Sequence, residues 1–103
     1  AGDNDGDLPY DTEARPTMDA LPLPRTLATL AGAGHWGVTD LCALLPTLLD
    51  CAGEAGGYME PDRVKAVART LVMAHVGDVL TDDPRYDTFL DAASWPEDDV
   101  SVE

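Results

Sequence analysis

Apolar side chains recur along much of this chain at the three- and four-residue intervals that line one face of a helix. The longest such run covers residues 59–80, where Val64, Val67, Ala68, Leu71, Val72 and Val79 share a face with His75. Pro61 stands where a first helical turn needs no amide donor, and Asp62, Arg63, Lys65 and Arg69 lie on the far side. Upstream, Leu41, Leu44, Leu45, Leu48, Leu49 and Ala52 keep the same period behind Thr39 as N-cap and Asp40 in the first turn. Pro46 falls inside this run and cannot donate to the carbonyl of Cys42, so the pattern predicts one helix kinked there and ended by Gly53, Gly56 and Gly57.

Two shorter signals flank these. Leu23, Leu27, Leu30 and Ala31 share a helical face behind Pro24 and are stopped by Gly32 and Gly34. Tyr86, Phe89, Leu90 and Ala93 follow Asp83 as N-cap and Pro84 in the first turn, with Trp95 and Pro96 as the stop. The segment AGAGHWG at 31–37 reads as a tight helix–helix connection, because it lacks the glycine spacing of a phosphate-binding loop. No strand and no internal repeat stand out. The expectation is an all-α fold, a small bundle of about four short helices with irregular acidic N- and C-terminal arms. Residues 1–22 form the first arm, 23–96 the helical domain and 97–103 an acidic tail.

Composition narrows the function classes. A chain of 103 residues is one domain, and 6% aromatic content leaves its core to Leu, Val and Ala. No stretch is long and apolar enough to span a membrane, and the first residues are acidic where a signal peptide is basic, so the expected location is cytoplasmic. The net charge is −14, concentrated in the two arms. Nucleic acid and anionic membranes are excluded as partners on electrostatic grounds, whereas a basic protein surface is attracted. The helix–turn–helix cadence of residues 27–45 does not change this, because the following segment, PTLLDCAGEAGG, has no Lys or Arg. The excess of Asp over Glu and of Arg over Lys also fits a GC-rich or salt-loving host whose proteins are acidic throughout.

Chemistry-bearing residues are sparse. On one continuous helix Cys42 and Cys51 would be separated by about 13.5 Å of rise and face opposite ways, which forbids a disulfide unless Pro46 folds the segment sharply. They are expected as two reduced, buried thiols. His35, Cys42, Cys51 and His75 match a zinc donor count, but zinc sites pair ligands two to four residues apart and these stand singly. No metal or cofactor is expected. His75 is expected packed with one nitrogen satisfied, and His35 in a turn at the surface. Asp83, Asp87 and Asp91 form a solvated stripe, and Ser94 and Ser101 lack a nucleophile context, so no enzyme is expected. What remains is a protein-interaction module, an inhibitor or regulator that binds a basic protein surface. Its contact residues are Arg63, Lys65, Arg69 and Met73 on the long helix and Asp3, Asp5, Asp7, Asp98 and Asp99 in the arms, with a homodimer allowed. The alternative is a small accessory subunit of a larger enzyme or assembly, its acidity set by the host.

Overall fold

The computed structural model describes residues 1–95 and 98–103; Pro96, placed in the stop of the last helix, and Glu97, placed in the acidic tail, lie outside the described residues. The expected long helix is present as α3, Pro61–Thr81, with Pro61 in its first turn. It buries Val64, Val67, Leu71 and Ala74, positions that recur at three- and four-residue steps along one stripe.

The partner of that stripe is a β-ribbon, and the all-α expectation is corrected accordingly. β1, Ala28–Leu30, pairs antiparallel with β2, Val100–Val102, in the register Ala28 to Val102 and Leu30 to Val100. Side chains directly opposite in such a pair share a face. Ala28, Leu30, Val100 and Val102 accordingly pack with Val64, Val67 and Leu71 of α3. The pairing extends through Leu27 N–H to Glu103 O at 2.9 Å and Ala31 N–H to Asp99 O at 2.8 Å. On the other edge of β1, Gly2 forms a parallel bridge to Leu30. β2 therefore lies in the segment expected as an acidic tail, and β1 sits where a helix was expected behind Pro24. Thr26 and Thr29 stiffen this stretch toward extended backbone, and its pairing segment lies 70 residues downstream.

The described residues of both arms contribute elements to the fold. Residues Tyr10–Ala14 form a widened helical turn that runs into α1, Arg15–Ala20. The C-terminal arm supplies β2, and its last residue Glu103 pairs with Arg15. The expected kinked helix after Thr39 is also corrected: α2 covers only Leu41–Leu44, and the chain turns extended at Leu48 before two 3-10 turns, Leu49–Cys51 and Gly53–Gly56. Pro46 thus ends the helix instead of bending it, and Leu44, Leu45 and Leu49 are exposed. The fold-back brings the Cα atoms of Cys42 and Cys51 within 5.1 Å of each other in a disulfide, so the expectation of two free thiols is replaced as well. The last helical signal contracts to α4, Asp87–Leu90, and the 3-10 turn Ala92–Ser94. Leu90 and Trp95 lean on the core. Among the described residues no helix is long and apolar enough to cross a membrane.

Candidate functional site

Asp5 and His35 leave the same end of the sheet. The Gly2 segment runs parallel to β1, Asp5 follows Gly2 by three residues, and His35 follows the end of β1 by five. The two meet there: His35 Nδ1 lies 3.1 Å from Asp5 Oδ2 and 3.2 Å from Oδ1.

The carboxylate is held in place by its own turn. The backbone N–H groups of Asp7 and Leu8 both donate to Asp5 Oδ1 at 2.9 Å, an Asx turn that fixes the side chain before any ligand arrives. Burial pushes the Asp5 carboxyl up, but the donors Leu8 N–H, His35 and Asp7 N–H outweigh it, and its pKa lies below the ordinary 3.8. An ionised Asp5 accepts only, so Nδ1 is the donor in this pair, and in the neutral imidazole Nε2 is then the nitrogen without a proton. No described residue hydrogen-bonds to that nitrogen. Trp36 stands edge-on to the imidazole, ring centres 4.6 Å apart at 88°.

The backbone around His35 is fixed as tightly as its ring. Asp50 Oδ2 accepts from Trp36 N–H at 3.1 Å, and Asp50 packs so closely on Gly34 that a Cβ there would lie 2.4 Å from the Asp50 Cβ. Trp36 O accepts from both the amide of Thr39, at 3.0 Å, and its hydroxyl, at 2.8 Å. Cys42 Sγ lies 3.8 Å from the same carbonyl, a contact only, because a disulfide sulfur has no hydrogen to donate.

His35 and Asp5 open onto a cleft of about 610 Å³ between β1, the first arm and α3. Its walls are mainly aliphatic, among them Leu8, Leu27, Val38, Ala68, Leu71 and Val76. A second imidazole, His75 of α3, lines the same cleft, with Nδ1 hydrogen-bonded to Thr26 Oγ1 at 3.0 Å. Asp7 is near enough that Asp5, Asp7 and His35 can each bring one ligand atom within 4.8 Å of the others. Both oxygens of Asp5 already face His35, and the group carries no metal assignment.

The residues expected to form a partner surface are dispersed. Arg63 grips Asp99 with two hydrogen bonds of 3.2 Å. Lys65 lies 3.3 Å from Asp62 and 3.8 Å from Asp40. Arg69 and Met73 are exposed farther along α3. Asp3 accepts from Gly32 N–H, Asp5 holds His35, and Asp7 and Asp98 are exposed. The structure thus brings Asp5 and Asp7 together with His35, and Asp99 with Arg63, but does not gather the nine residues on one face. The pairing of His35 with Asp5 was not legible because the two lie 30 residues apart in the chain. The readable signal was a histidine embedded in glycines between two elements, AGAGHWG. Comparison with protein-family models, with curated proteins and with solved structures returns no match.

Proposed function

We propose that this chain carries the base-and-orienter half of a hydrolytic acyl-transfer site. In this reading His35 Nε2 takes the proton of a hydroxyl nucleophile attacking an ester whose apolar portion lies in the cleft. Asp5 holds the imidazole in the tautomer that leaves Nε2 free and stabilises the imidazolium that forms. The observation that carries the reading is the Asp5–His35 pair itself. A carboxylate fixed by two backbone amides faces Nδ1, and the other nitrogen has no hydrogen-bond partner among the described residues at an apolar cleft.

The described residues of the cleft offer no competent nucleophile. Thr26 is hydrogen-bonded to His75, the Thr39 hydroxyl donates to Trp36 O, and Cys42 and Cys51 are bonded to each other. The hydroxyl is therefore water in this chain by itself, or a side chain from polypeptide beyond these residues. The disulfide favours an oxidising compartment over the cytosol. The test is hydrolysis of p-nitrophenyl esters by the purified chain across a pH series. The reading expects turnover that depends on His35 and is faster for butyrate than for acetate, since the longer acyl group occupies more of the apolar wall. Equal rates for wild type and His35→Ala overturn it.

A second reading, the protein-interaction module or accessory subunit, is supported by one feature. Val72, Met73, Val76, Val79 and Leu80 are all exposed along the later half of α3, an apolar strip of the kind that marks contact surfaces. A basic partner is less favoured than an apolar one, because Asp3, Asp5, Asp99 and Glu103 are engaged within the fold. Sedimentation at rising concentration and salt separates these cases, since association through apolar area survives salt and association through charge does not.

A further inference from the structure

We propose that Asp50, tethered by the Cys42–Cys51 disulfide, is a positioning residue for His35. The contact between the His35 ring and Asp5 then depends on that disulfide. Asp50 reaches the residues on both sides of His35: it accepts from Trp36 N–H at 3.1 Å and packs against Gly34 at a distance no side chain there would allow. It touches neither imidazole nitrogen, so it acts on His35 only through the backbone.

What holds Asp50 in that position is its neighbour in sequence. Asp50 lies in a 3-10 turn of three residues, preceded by Leu44, Leu45 and Leu49, all exposed. Little apolar burial anchors this excursion of the chain. The Cys51–Cys42 bond ties its end back to α2, directly after the loop that carries His35. Two anchors therefore converge on His35 from different parts of the chain, Asp5 on the ring and Asp50 on the backbone, and the second is covalently fixed. A dithiol reagent removes that fixture. It supplies two electrons and two protons, the S–S bond breaks, Cys42 and Cys51 become thiols, and the reagent closes to its own disulfide. The loop is then free to carry the imidazole out of line with Asp5.

The structural part of this inference stands on the geometry alone; its catalytic consequence rests on the acyl-transfer reading above. The test is a long-range proton–nitrogen NMR spectrum of the two imidazoles in the folded chain, which reports the tautomer of each. The Asp5→Ala variant defines the pattern of a His35 without its carboxylate. In Asp50→Ala, and in the unsubstituted chain reduced with a dithiol, the His35 peaks are expected to move to that pattern while the His75 peaks stay in place. Asp50→Asn, which keeps the acceptor and the size, is expected to retain the wild-type pattern. His35 peaks that hold the wild-type pattern after reduction and in Asp50→Ala overturn the proposal; reduction gives this reading even where the substitution disturbs the fold. Hydrolysis of p-nitrophenyl butyrate is followed in parallel and is expected to fall about tenfold, since misplacement on the order of 1 Å costs up to roughly 10²-fold. An ester rate that never depended on His35, combined with peaks that shift as stated, removes the acyl-transfer reading and leaves Asp50 as the positioning residue.

Discussion

Two histidines face one cleft, and their partners differ. His35 sits on a loop with Nδ1 against the Asp5 carboxylate, whereas His75 sits on α3 with Nδ1 against the Thr26 hydroxyl. Either contact satisfies a ring nitrogen. A carboxylate that stays ionised does more: it accepts only, so it fixes the tautomer, and it stabilises the charged ring that proton abstraction creates. A hydroxyl rotates to suit either tautomer and gives an imidazolium little. Environment sharpens the contrast, because Asp5 is itself held by two backbone amides while Thr26 offers one hydroxyl from a residue just before β1. In the proposed acyl-transfer reading the first imidazole does the acid–base work, while the second is set into a wall of the cleft.

The largest effect expected from this contrast is on ester hydrolysis. His35→Ala should lower the rate by roughly 10²- to 10⁴-fold, the range general-base catalysis contributes, while His75→Ala should change it by less than about threefold, the equivalent of about 0.6 kcal/mol. Comparable losses in the two variants would erase the distinction. Asp5→Asn comes next. An amide can donate to Nδ1 and so drive the proton onto Nε2, the wrong nitrogen for a base, and roughly 10²-fold of the rate should go with it. The corresponding change beside the other ring, Thr26→Val, should leave the rate near wild type.

The contrast was half legible before any coordinates. Val64, Val67 and Leu71 announced the buried stripe of α3 through their spacing, because a local period needs no knowledge of what packs on it. His75, carried by that helix, was correspondingly placed as a packed residue with one nitrogen engaged. The ribbon that covers the stripe was not legible in the same way. Val100, Ser101 and Val102 do alternate, but three residues are a weak signal, and their pairing with Ala28–Leu30 is a contact between distant parts of the chain. The Asp5–His35 pair depends on that ribbon and on the Gly2 bridge beside it, so the sequence offers Asp5 only as a partner contact in the acidic arm. Pro46 misled in the opposite direction. The apolar register continued past it, yet Leu44, Leu45 and Leu49 turned out exposed. With no core to hold a kinked helix together, the chain folded back and let Cys42 meet Cys51.

Acid sharpens the comparison without touching the histidines' neighbours in sequence. The Asp5 carboxyl titrates below its ordinary 3.8 in the folded chain. A depressed carboxyl stabilises the fold above its unfolded pKa, and that contribution is lost as pH falls through the folded value. Urea midpoints of the wild type should therefore decline below about pH 4, where unfolded aspartates take up protons. Asp5→Asn should show a shallower decline over the same window, with the residual slope carried by the other lowered carboxyls, Asp83 and Glu103. An identical acid limb in both proteins would mean that the Asp5 cradle does not discriminate the ionised form, and the asymmetry between the two histidines would lose its electrostatic basis.

The smallest expected effect comes from the hydroxyl side, where Thr26→Val swaps Oγ1 for a methyl group at nearly constant volume and leaves His75 Nδ1 without its hydrogen bond. A neutral pair of this kind is worth about 1 kcal/mol, and β-branched Val keeps the extended backbone next to β1. Urea unfolding should therefore register a loss of no more than about 1 kcal/mol, with ester hydrolysis unchanged. A rate loss that matched the Asp5→Asn variant would move the second imidazole out of the wall and into the chemistry, because a hydroxyl that only satisfies a packed ring has no route to the rate.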